Sequence, residues 1–110
     1  MALNLCFILT RSPDEGDTDS LILNTAFQGL GKGDRVTIFL LGDSVWLANK
    51  NKSRLEGFIK KGGSVTTSGE HLQAHGLSRE DILPAVGIAV DTYDQLVDLV
   101  MEKCDKVVII

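Results

Sequence analysis

The stretch Arg35-Val36-Thr37-Ile38-Phe39-Leu40-Leu41-Gly42-Asp43-Ser44 decides the fold. Val36 and Ile38 to Leu41 form a nearly continuous apolar run about one strand long, and a glycine-led polar turn follows at once. A strand wetted on one face alternates apolar and polar residues. This one does not, which is the pattern of a strand covered on both faces of a parallel sheet. Upstream, Leu3 to Thr10 repeats the pattern and runs into the polar cluster Arg11 to Asp19. Asp17, Thr18 and Asp19 suit the first turn of a helix, whose dipole favours negative charge there. Leu21, Ile22, Thr25, Ala26 and Leu30 recur at helical spacing, and Gly29, Gly31 and Gly33 close the segment.

Downstream, Val45 to Ala48 reads as a short apolar helical turn, and Ser53 to Lys61 as an amphipathic helix built on Leu55, Phe58 and Ile59. Gly62-Gly63 stops it, and Val65 with its threonine neighbours makes a third strand. Gly69 to Ala74 is a short helix closed by Gly76. Ser78 with an acid three residues on has the cap pattern, Pro84 ends that segment, and Gly87 to Val90 is a brief strand. Asp91 or Thr92 caps a last helix with the stripe Leu96, Val97, Leu99, Val100 and Met101. Val107 to Ile110 is the final strand. Alternating strands and helices imply right-handed βαβ units. The expectation is one domain over 1–110: a three-layer α/β fold with a mostly parallel five-stranded sheet, helices on both faces, resembling flavodoxin.

The bulk composition narrows the function classes. At 110 residues the chain buries roughly two-thirds of its unfolded surface, enough for a core without a staple. A net charge of -4, with basic residues only in short pairs such as Lys60-Lys61, argues against nucleic-acid binding. The apolar run at the N-terminus is too short for a signal core or a membrane span, so a cytoplasmic protein without a membrane partner is expected. In such a setting Cys6 and Cys104 are expected as free thiols. Cys6, inside the first strand, should be inert. At a helix C-terminus Cys104 should have its thiolate disfavoured.

Ligands of open parallel sheets bind beyond the carboxyl ends of the strands. Those ends are Thr10 to Asp19, Gly42 to Trp46 and Thr66 to His75. The run Gly29-Leu30-Gly31-Lys32-Gly33 closes a helix rather than opening one, so it is not a dinucleotide fingerprint. Asp43 or Ser44 suits a helix cap, and Trp46 suits core or a subunit interface. His71 and His75 stand four apart with Glu70 beside them, but a third ligand is not evident, so neither metal nor cofactor is expected. Ser68 lacks the flanking glycines of a hydrolase elbow.

Several segments together resemble the DsrE-like family of sulfur-relay proteins. They are Val36 to Val45; Gly63-Ser64-Val65-Thr66-Thr67-Ser68 followed by Ala74-His75-Gly76-Leu77; and Tyr93 to Val100 followed by Cys104-Asp105-Lys106-Val107-Val108-Ile109. The resemblance spans essentially the whole chain. It implies a small oligomer, a homotrimer or homohexamer, with other sulfur-metabolism proteins as further partners. It also implies a pocket at Thr10, Gly42, Asp43, Ser68 and His71. In relatives of the TusD type a cysteine eight residues before the glycine matching Gly76 carries persulfide sulfur. Here that position is Ser68, and a second family cysteine position is His71. A serine hydroxyl is neither acidic nor soft enough for that chemistry. The expected function is therefore a non-catalytic binding or assembly member, with persulfide carriage on Cys6 or Cys104 as the alternative.

Overall fold

A computed structural model describes residues 3–10, 28–42, 44–45, 54–84, 86–90 and 92–109, with backbone alone for 54–56. The strands are β1 (Asn4–Leu9), β2 (Arg35–Leu40), β3 (Ser64–Ser68), β4 (Gly87–Ala89) and β5 (Lys106–Ile109). They form one sheet in the order β4-β3-β2-β1-β5, and every pairing is parallel. Between the strands run α1 (Arg54–Lys60), α2 (Gly69–Ala74) and α3 (Thr92–Asp98). A helical turn at 28–31 precedes β2 and gives way to Gly33, whose φ of 87° a side chain would disfavour. The expected helix over the residues before 28 lies outside the described residues.

The strand register assigns the two faces, because residues side by side in a parallel ladder point the same way. One face carries Leu5, Phe7 and Leu9 of β1, Val36, Ile38 and Leu40 of β2, and Val65 of β3. It is almost wholly apolar and packs with Phe58 of α1 and Leu72 of α2 into the main core. The opposite face carries Cys6 and Ile8, Thr37 and Phe39, Thr66 and Ser68, and Ala89. Ile8, Phe39 and Ala89 form a second core there with Leu96, Leu99, Val100 and Val107. Among the described residues α3 and its continuation are the helical cover of this face, and the Thr37 and Thr66 side chains beside it line open space.

One local expectation holds in detail. The Ser78 turn carries a capping box, with Asp81 Oδ2 accepting from the Ser78 N–H at 2.9 Å. Arg79 then donates to the carbonyls of Val86 and Pro84, which fixes the approach to β4.

Two expectations are corrected. The last helix does not bury its whole apolar stripe. Leu96, Leu99 and Val100 face the sheet, while Val97 and Met101 are 57% and 77% exposed. The helix also changes pitch: α3 passes into a π turn over Leu99–Lys103. Cys6 and Cys104 are not free thiols, since a disulfide joins them across 98 residues of sequence. The reason is the strand order. β5 lies directly against β1, with Cys6 level with Val107, so the turn that holds Cys104 ends beside Cys6.

Candidate functional site

The parallel sheet gathers the ends of β1, β2 and β3 at one edge, and the sequence places polar residues at each end. Beyond β2 the backbone turns sharply at Gly42, where φ is 54° and an added Cβ would stand 3.2 Å from the Thr10 carbonyl oxygen. Leu41 N–H donates to Leu9 O at 2.9 Å, extending the β1–β2 ladder by one step. Ser44 then locks the two strand ends together. Its buried hydroxyl accepts from Leu41 N–H at 3.0 Å and lies 2.5 Å from Leu9 O and 2.7 Å from Leu41 O, which share its proton. This strand-joining role is what the described residues show for Ser44; Asp43 and Trp46 lie outside them.

β3 ends in Ser68, the N-cap of α2, whose hydroxyl accepts from His71 N–H at 3.2 Å. The same oxygen lies 2.7 Å from Thr92 Oγ1 at the start of α3. Both residues are fully buried. One turn into α2, the half-buried His71 uses Nδ1 to accept Gly42 N–H at 2.8 Å. A neutral imidazole with Nδ1 as acceptor carries its proton on Nε2. Four of the five residues expected to cluster are therefore near one another: Thr10, Gly42, Ser68 and His71. Thr92, read from sequence as a helix cap, joins them through Ser68.

The chemistry of this cluster is inward. Ser68 Oγ is enclosed and engaged by two partners, so it is not poised as a nucleophile. One nitrogen of His71 is committed to the backbone. Among the described residues, no group of three metal-type side chains comes together.

Open space lies further along the sheet face that carries Ser68, beside the last helix. A cavity of about 220 Å³ is bounded by Thr37, Phe39, Thr66, Gln95, Asp98 and Lys103. A second, of about 330 Å³, is bounded by Cys6, Arg35, Thr37, Glu102 and Lys103 among others. The two share Thr37, Leu99 and Lys103, so they line one trench between the sheet and the last helix. A third hollow, of about 270 Å³, is lined by Ile8, Leu96, Val97, Val100, Met101 and Ile109 and exposes no polar surface. No helix among the described residues is long and apolar enough to cross a membrane.

No family model matches the sequence. An uncharacterized protein of Methanopyrus kandleri, MK0008, is 31% identical over 105 residues, covering 87% of this chain and 85% of that one. Three solved structures share the fold at low identity. The YchN protein of E. coli superposes with a TM-score of 0.85 at 16% identity over 100% of both chains. MTH1491 of Methanobacterium thermoautotrophicum, a protein of unknown function, gives 0.83 at 13% identity over 94% of this chain and 96% of that one. BT1422 of Bacteroides thetaiotaomicron, a conserved protein of unknown function, gives 0.78 at 15% identity over 96% and 94%.

Proposed function

We propose the following for a chain that belongs to one family with the M. kandleri protein MK0008: it is a self-assembling, non-catalytic member of the DsrE-like group. The observation that carries the reading is the outer surface of the last helix. Tyr93, Val97 and Met101 follow one another at four-residue spacing and are 65%, 57% and 77% exposed. Ile109, on the edge strand beside them, is 69% exposed. Val97, Met101 and Ile109 also line the apolar hollow, and exposed apolar surface of this kind marks a protein contact. An isologous or cyclic contact between copies covers such a patch without any other protein.

The polar knot at Ser68 supports the non-catalytic half. At the position where the resemblance places a sulfur-carrying cysteine, this chain has a buried hydroxyl held by Thr92 and the His71 amide. A persulfide carried on Cys6 or Cys104 has less support, because the two sulfurs are bonded to each other.

Sedimentation velocity of the purified chain tests the reading. The expected result is a homotrimer or homohexamer that Val97→Glu with Met101→Glu converts to monomer while the circular dichroism stays unchanged. A wild-type chain that stays monomeric at high micromolar concentration refutes it.

A further inference from the structure

The disulfide ties an inner strand of the sheet to the end of the last helix. Cys6 lies in the middle of β1, between β2 and β5, and is 2% exposed. Cys104 is half-buried, in the extended residue that ends the π turn. The 330 Å³ cavity is lined by Cys6, by two cations, Arg35 and Lys103, and by Glu102 among others. Its size falls within the range of small-molecule sites. The bond therefore borders a trench with room for a small reactant.

The strands do not depend on this bond for their register. Asn4 N–H donates to Asp105 Oδ2 at 2.8 Å, and Asp105 N–H donates to Asn4 O at 2.8 Å. From there the β1–β5 ladder runs from Leu5 beside Lys106 to Ile8 beside Ile109. A reciprocal clasp on one side of Cys104 and a ladder beyond it keep the chain in place when the sulfurs part.

We propose that Cys6–Cys104 is an exchangeable dithiol–disulfide centre that small thiols attack at Cys104, with the trench beside Cys6 receiving the sulfur that leaves. The attacking thiolate forms a bond to Cys104 Sγ, in the less buried of the two residues, and the bond to Cys6 Sγ breaks. Cys6 leaves as a thiolate, and the positive charges of Arg35 and Lys103 on the adjoining cavity favour it until it takes a proton from water. A second thiol attacks the small-molecule sulfur of the mixed disulfide and releases Cys104 as a thiol. One protein disulfide and two thiols become one protein dithiol and one small disulfide, a transfer of two electrons and two protons. This centre is separate from the Ser68 cluster and from the apolar surface proposed for assembly.

Intact mass after acid quench and alkylation reads the thiol state directly. Native chain is held in graded mixtures of reduced and oxidised glutathione, with far-ultraviolet circular dichroism recorded on each sample. The expected result is reversible conversion of both cysteines with the fold retained. A bond that opens only when denaturant is added overturns the proposal. Oxidised glutathione should place one adduct on Cys104 in Cys6→Ser, and that adduct should be lost in Cys104→Ser. An adduct on Cys6 instead overturns the assigned direction of attack. Lys103→Ala with Arg35→Ala keeps both cysteines and should slow reduction, so an unchanged rate removes the role given to the cations. Running the same titration on the Val97→Glu, Met101→Glu chain separates failure of this proposal from failure of the assembly reading.

Discussion

Ser68 and Thr92 show how much one hydroxyl pair contributes at the end of a strand. Both side chains are fully buried and 2.7 Å apart, so removing one leaves the other without its partner. Ser68→Ala should cost about 1–3 kcal/mol in urea unfolding, because a stranded buried hydroxyl carries its desolvation penalty. Ser68→Ala with Thr92→Val should cost less than the sum of the single changes, the signature of a coupled pair. Thr67 is the opposite case: its buried Oγ1 finds no hydrogen-bond partner among the described residues, and Thr67→Val should raise stability by about 1 kcal/mol. The sequence places Ser68 at a strand end correctly because strand ends in a parallel sheet are legible from the apolar runs. It does not reveal the bond to Thr92. That residue reads as an ordinary helix cap 24 positions away, and only the packing of α3 against the end of β3 brings the hydroxyls together.

At the scale of elements, apolar runs ending in polar turns mark β1 and β2, and Val65 with its threonines after Gly62-Gly63 marks β3, each within a residue or two; Gly69 to Ala74 is recovered as α2 without adjustment. The turn before β3 shows why its glycines stand where they do. A Cβ at Gly63 would overlap the ring of Phe58, which is fully buried. Gly63→Ala should therefore destabilise the chain by about 1–3 kcal/mol through overpacking, seen as a lower thermal midpoint. The last helix was only half legible. Its apolar spacing identifies a helix, but spacing alone does not say which apolar residues face the sheet. With five apolar positions in a six-residue span, more side chains are available than one sheet face accepts, and the π turn at Leu99–Lys103 shifts the phase again. Val97 and Met101 are left outside as a result.

At the scale of the molecule, alternation of strands and helices indicates the layered architecture, but not which strands are neighbours. Because β5 lies beside β1 rather than beside β4, residues 98 positions apart meet, and the disulfide follows from that adjacency. Cysteine chemistry judged from local context has no access to it. Closing so long a loop restricts the unfolded chain, so reduction should lower the unfolding free energy by about 2–4 kcal/mol, measured by urea titration with and without reductant. The reduced chain should still fold, since the ladder and the Asn4–Asp105 clasp remain.

The same strand order bears on synthesis at the ribosome. β1 pairs with β2 early, but its other edge waits for β5, nearly a full chain length later. Until then, the backbone groups along Leu5 to Ile8 are an open template next to apolar side chains, the type of edge that recruits foreign strands. A stop codon just before β5 should therefore produce inclusion bodies rather than a slightly shorter protein, and a peptide spanning Lys106 to Ile109 supplied during refolding should suppress that loss.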